Sequence, residues 1–144
     1  MTHHDSGHFS AKHPNGTRVS PALEQAVRDR LADKEITCHA AHAICETLLV
    51  TPREVGIAID LQEGHIRKCQ LGLFGYGAKG KAVKAAEKIA PELRAAIEAL
   101  LVDDRLTCAE AWRIADAAGI ARLAVANACE SMKVKIKTCQ LGAF

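Results

Sequence analysis

Apolar positions along this chain recur at helical spacing and then switch to strand spacing, and the whole pattern occurs twice. In the first copy, Ser20-Pro21 places proline at a first helical position, where its missing N–H costs nothing, and Leu23, Ala26, Val27 and Leu31 follow on one face. Thr37 is an N-cap candidate for a second helix that buries Ala41, Ile44 and Leu48. A break at Leu49-Val-Thr51 leads to a third helix, beginning near Pro52 and burying Val55, Ala58 and Ile59. The second copy reads the same way: Ala90-Pro91, a capping box at Thr107-Cys-Ala-Glu110, buried Ala111, Ile114 and Ala118, a break at Gly119-Ile-Ala121, and buried Val125, Ala128 and Cys129. After the third helix the period becomes 2. Lys133-Val-Lys-Ile-Lys-Thr-Cys139 alternates strictly, with three lysines and Cys139 on one face, and His65-Ile-Arg-Lys-Cys69 keeps that alternation around Ile66. Each copy therefore predicts three helices and a short strand.

The two copies align without a gap at an offset of 70, from Pro21/Pro91 to Gly72/Gly142, with 16 identities in 52 positions. Identities include Leu23/Leu93, Thr37/Thr107, Cys38/Cys108, Ile44/Ile114, Val55/Val125 and the run Cys69-Gln-Leu-Gly72, repeated as Cys139-Gln-Leu-Gly142. Phe74/Phe144 extends the match. The expected division is a histidine-containing N-terminal tail over 1–19, a first repeat over 20–74, a Gly/Lys linker over 75–89 with room for helix at its end, and a second repeat over 90–144.

Composition supports a mainly α fold. Only 3% of the 144 residues are aromatic and 26 are alanine, a balance that favours close helix packing over sheet. No stretch approaches the roughly 18 apolar residues of a membrane span, and Met1 to His8 has no apolar signal region, so a soluble, cytoplasmic protein without a membrane partner is expected.

In Ala115-x3-Gly119-x5-Val125, a small residue, a turn glycine and a buried branched residue stand at the spacing of the helix-turn-helix motif. The repeat resembles a helix-turn-helix of the winged-helix kind, over 21–72 and again over 91–142. Repeat one departs from the pattern with Cys45, Leu49 and Val55; leucine at the turn must avoid the left-handed conformation or absorb strain. The resemblance implies two tandem winged-helix-like repeats packed as a pseudo-dimer, a DNA-binding protein and a role in transcription regulation.

Charge refines that expectation. The net +2 hides −1 over residues 1–72 (8 basic, 9 acidic) and +3 over 73–144 (11 basic, 8 acidic). Phosphate contact requires Lys and Arg, and base reading favours Arg and Asn. The expected DNA contacts are Arg122, Asn127, Lys133, Lys135 and Lys137, with Arg53, Arg67 and Lys68 as poorer equivalents, and Lys79 and Lys81 in a mobile Gly-rich clamp. Glu54 and Asp60, on the exposed side of the third helix, would face phosphates unfavourably. The competing reading is that these lysines solvate a linker and an edge strand.

Six cysteines without a secretory signal point to reduced thiols or metal ligands before disulfides. Cys38, Cys69, Cys108 and Cys139 recur symmetrically and are enough in number for a zinc or iron–sulfur site. Cys38 and Cys108 follow helix N-caps, and lysines beside Cys69 and Cys139 would favour thiolate. No Cys-x-x-Cys spacing occurs, and small buried groups duplicated with the fold explain them more simply. His39 and His42 stand at i, i+3 beside Cys38 and Cys45, and His3, His4, His8 and His13 crowd the tail, where Phe9 and Lys12-His-Pro14 hint at docking. No enzyme constellation is present: neither a Ser/His/Asp set nor a phosphate loop stands out. The alternative function is a protein-interaction or accessory module whose Cys-Gln-Leu-Gly-x-Phe segments meet a protein partner, with a cysteine-based metal or redox site.

Overall fold

The computed structural model describes residues 9–144 and is mainly helical. Repeat one contains α1 (Pro21–Arg30), β1 (Glu35–Thr37), α2 (Cys38–Leu48), α3 (Pro52–Leu61) and β2 (His65–Arg67). Repeat two contains α4 (Pro91–Ala99), β3 (Arg105–Thr107), α5 (Cys108–Ala118), α6 (Arg122–Ser131) and β4 (Lys135–Lys137). No helix among the described residues is long and apolar enough to cross a membrane.

Local chemistry starts these helices. The Ser20 hydroxyl accepts from the Leu23 N–H at 3.2 Å, and Thr37 accepts from Ala40 at 3.0 Å. The reciprocal capping box forms at Thr51–Glu54, where the Thr51 hydroxyl accepts from Glu54 N–H at 3.1 Å and the Glu54 carboxylate takes the Thr51 N–H at 2.8 Å. At Thr107 only half of the expected box is present. The hydroxyl accepts from Glu110 N–H, while the Glu110 carboxylate takes Arg113 Nη1 at 2.9 and 3.0 Å.

Each repeat has one strand more than its pattern predicts. β1 pairs in parallel with β2, and β3 with β4, in registers Glu35↔His65 and Arg105↔Lys135. A three-residue strand is too short for alternation to register in sequence. The chain enters β1 and β3 through two left-handed residues, Asp33-Lys34 and Asp103-Asp104 (φ between 52° and 63°). The strand after the third helix is also shorter than the alternation suggests, and no antiparallel hairpin follows it among the described residues.

The three-residue break between the second and third helices occurs in both repeats. Gly119 ends α5 in the left-handed region at φ 69°, a conformation that costs glycine little. Leu49 ends α2 there too, at φ 56°, with its side chain 89% exposed. Leucine thus absorbs the strain instead of changing the turn. The cores are small and alanine-rich: Leu23, Val27, Ala41, Ile44, Val55 and Ala58 in repeat one, and Ile97, Ala111, Ile114, Val125 and Ala128 in repeat two. Ala118 is exposed and Ala115 takes the buried place.

Two compact units divide the chain, and each contains a short piece of the other repeat. The first holds the described residues through Lys68 together with Gln140–Phe144; the second is Cys69–Cys139. Within the first, Leu141 is 2% exposed, and a Cβ added to Gly56 of α3 would stand 1.8 Å from the Leu141 carbonyl oxygen, so glycine is what lets that backbone approach. Within the second, Leu71 is fully buried in the core that contains Leu106, Val125 and Ala126, the last at the place equivalent to Gly56. The Cys-Gln-Leu-Gly segment of repeat one is therefore divided from the helices that precede it, as is the Gln-Leu-Gly part of the segment in repeat two, while Cys139 stays in the second unit. The boundaries expected at 74/75 and 89/90 both fall inside the second unit.

Residues 75–89 are held in place along the second unit. Ala82 and Val83 donate backbone N–H to the Gly72 carbonyl at 2.8 and 3.1 Å, Ala86 donates to Asn127 O at 3.0 Å, and Val83 is buried. In the first unit, the segment before α1 does the same. Phe9 is 2% exposed and meets His65 edge-on, and Lys12 Nζ donates to the Gly142 carbonyl at 3.2 Å. The docking suggested by Phe9 and Lys12-His-Pro14 is onto α3 and the tail beside it; His3, His4 and His8 lie outside the described residues.

Candidate nucleic-acid interface

Parallel pairing of β3 with β4 brings basic side chains onto one face. Arg105 and Lys135 are direct cross-strand partners, as are Thr107 and Lys137, and Lys133 stands in the turn just before β4, in the left-handed conformation at φ 59°. Like charges set directly opposite on a sheet oppose folding by about 0.2–1 kcal/mol. Among the described residues none of Arg105, Lys133, Lys135 and Lys137 forms an ion pair, and the aspartates of the preceding turn, Asp103 and Asp104, do not neutralise them at contact distance. Arg105, Lys133 and Lys135 are exposed and Lys137 half-buried. This face of β3–β4 carries uncompensated positive charge.

The equivalent face in repeat one is neutralised. Glu35 and Thr37 stand opposite His65 and Arg67, and Arg67 Nη1 bonds the Glu35 carboxylate at 2.9 Å. Glu35 aligns with Arg105 at the offset of 70, so a charge reversal in the aligned copies marks the difference. Arg105 was not among the expected contacts, because β3 is too short to show as a strand. The pairing of Glu35 with Arg105 in the alignment is the signal that finds it.

The third helices are engaged elsewhere. Arg122 stacks over the Trp112 ring with its guanidinium carbon 3.6 Å from the ring centroid. Its Nε and Nη2 donate to the Asp116 carboxylate at 3.2 and 3.1 Å, and Nη1 donates to Gln70 Oε1 at 2.6 Å. That fork holds Gln70 against the second unit. The Asn127 amide oxygen accepts the Lys84 N–H at 2.9 Å. Both side chains expected to read DNA therefore have structural work within their own unit. In repeat one, Asp60 is 6% exposed and held by Lys12 Nζ at 3.1 Å and His13 Nε2 at 2.8 Å, so it does not face outward as its sequence position suggests. Glu54 is bound in its capping box, and Gln62 Nε2 donates to the Glu24 carbonyl at 3.0 Å.

The remaining expected contacts lie apart from the β3–β4 face in role. Arg53 is exposed on α3, Lys68 is exposed in a left-handed conformation at φ 50°, and Lys81 lies 3.9 Å from Glu130. Lys79 ends a 3-10 turn (Gly77–Lys79), and its side chain lies outside the described ones. The Gly-rich stretch around Lys81 is hydrogen-bonded along the second unit rather than hanging as a clamp, because Tyr76 N–H donates to Gly80 O and its hydroxyl to Cys69 O.

The symmetric thiols do not form a ligand set. Among the described residues no group of three or more His, Cys, Asp or Glu side chains is placed to hold a metal ion. Cys38, Cys69 and Cys108 are 4–6% exposed. Burial pushes the Cys69 thiol above its ordinary pKa, against the pull of backbone N–H groups from Leu73, Leu71 and Phe74, so nearby lysines do not make it a thiolate. Burial also raises Cys45, and lifts Cys129 to about 11. The Cys-Gln-Leu-Gly segments are interior: Cys69, Leu71 and Leu141 are buried, and Gln70 is bonded to Arg122. Cys139 is half-buried, and Phe144 at the end of the second segment is 38% exposed.

Comparison of the chain with protein-family models, curated proteins and solved structures finds no match.

Proposed function

We propose that this chain is a small DNA-binding protein, suited to transcription regulation, in which two tandem winged-helix-like repeats work as a pseudo-dimer and the second carries most of the contact. The observation that supports it is the face of β3–β4, where Arg105, Lys135 and Lys137, with Lys133 in the turn before β4, stand without acidic partners while the same face of repeat one is closed by Arg67–Glu35. Directly opposed like charges are a cost that a polyanion relieves, and phosphate neutralisation with release of counterions supplies most of nonspecific DNA affinity. The helix-turn-helix order of α5 and α6, with its three-residue turn, supports the same reading.

Because Arg122 and Asn127 are committed to Trp112, Asp116, Gln70 and Lys84, the proposed contact is to the phosphate backbone more than to base edges. Fluorescence anisotropy with mixed-sequence duplex DNA at low salt tests it. Binding that weakens steeply with added salt is the expected result; no binding at about 50 mM salt would end the proposal.

A further inference from the structure

The chain leaves β4 through a strained residue and at once joins the other unit. Thr138, next after Lys137, is exposed and stands in the left-handed region at φ 55°, where a β-branched side chain is costly. Cys139 still belongs to the second unit and Gln140–Phe144 to the first, so Thr138 and Cys139 form the whole hinge between the strand and the docked segment. The dock is closely fitted. Leu141 and Ala143 are buried, the Leu141 carbonyl lies over Gly56 of α3, and Lys12 Nζ, which also bonds Asp60, donates to the Gly142 carbonyl at 3.2 Å. The matching exit from β2 is built differently. Lys68 has an unbranched side chain at φ 50°, and the segment after it is fixed within the second unit by bonds from Gly72 N–H to Cys69 O and from Ala82 and Val83 N–H to Gly72 O.

We propose that two copies of the chain exchange the Gln140–Phe144 segment reciprocally, each laying it on α3 of the other, in equilibrium with the closed monomer. The occupant of the dock is given by the fold itself, since this segment already covers Gly56 in the closed chain. The same segment from a second copy makes the same contacts with Gly56 and Lys12. Only the hinge differs. A short hinge under strain invites exchange, because opening it lets Thr138 take the extended backbone that suits a β-branched residue. Each dimer relieves two hinges and loses the translational and rotational freedom of one chain, so concentration decides between the two forms. Thr138, Gly56, Lys12 and the segment are all separate from the basic residues of the β3–β4 face, and the exchange does not depend on DNA binding.

Sedimentation velocity of the full chain over a concentration series tests the proposal, with far-UV circular dichroism to check the fold of each variant. The parent should show a monomer and a dimer that grows with concentration. Thr138→Gly removes the hinge strain, so it raises the dimer dissociation constant at least about tenfold. Thr138→Pro holds φ near about −65° and forbids the closed hinge, so the folded variant is a dimer at every concentration. Adding Gly56→Ala to Thr138→Pro puts a methyl group where the incoming Leu141 carbonyl must lie, and that dimer dissociates. A parent that is monomeric throughout overturns the proposal, as does a folded, monomeric Thr138→Pro variant or a dimer that survives the added Gly56→Ala. Thr138→Gly keeps the left-handed turn accessible and so decides the matter even where Thr138→Pro fails to fold: a variant that dimerises as readily as the parent also overturns it.

Discussion

Leu49 and Gly119 occupy one turn in two copies, and their difference isolates the cost of a left-handed backbone. Leu49 sits at φ 56° almost fully exposed, so its side chain contributes little to packing and strain is what remains. Leu49→Gly should stabilise the chain by about 1 kcal/mol in urea unfolding. Gly119→Ala, at φ 69° with nothing within 4 Å of the added Cβ, should destabilise it by about as much. The thiols test burial in the same way. Cys45 and Cys139 are half-buried and should react first with a thiol reagent at pH 8, while Cys38, Cys69, Cys108 and Cys129 wait for unfolding. Burial raises the Cys129 pKa from 9.0 to about 11 on folding, so its contribution to stability is complete below about pH 9 and lost as pH rises through 11. Cys129→Ala should lose less stability than the parent between pH 8 and pH 11; an identical loss in both would contradict the burial account. The turn at Leu49 was legible as a site of strain, whereas the role of Asp60 was not, because helical position gives a face but not the Lys12 and His13 that dock from a distant segment.

At the scale of elements, the helices and their starts were legible because caps and 3.6-residue spacing are local. Pro21, Thr37, Thr51 and Thr107 all stand where helices begin. β1 and β3 were not legible, since three residues bounded by left-handed turns leave no alternation to read. Nor was the exchange of Cys-Gln-Leu-Gly segments, because identity at an offset of 70 says that the segments are alike and not which helices each one meets. The exchange makes Gly56 a sharp test. Glycine to alanine inside a helix ordinarily gains close to 1 kcal/mol. Here the new methyl would stand 1.8 Å from the Leu141 carbonyl oxygen, so Gly56→Ala should instead lose about 1–3 kcal/mol in urea unfolding. A gain would show that Leu141 does not lie over α3.

For the whole molecule, the informative quantity is where charge stands and what neutralises it. Sequence counting located the basic excess in the second half, and Lys135 and Lys137 of the basic face, with Lys133 in the turn before it, are among the contacts it suggested. It did not show that Arg122 and Asn127 bond within their own unit, since a polar residue on an exposed helical face looks the same whether it awaits a ligand or holds its own unit together. It missed Arg105, whose place opposite Lys135 exists only through the parallel ladder. The central claim is that the two repeats share DNA contact unequally, and the salt dependence of binding measures that directly. Replacing Lys133, Lys135 and Lys137 with alanine should cut the slope of log affinity against log salt by about 3, while replacing Arg53, Arg67 and Lys68 changes it by less than about 1. Equal changes from the two sets, or a slope untouched by the loss of the strand lysines, would contradict the account.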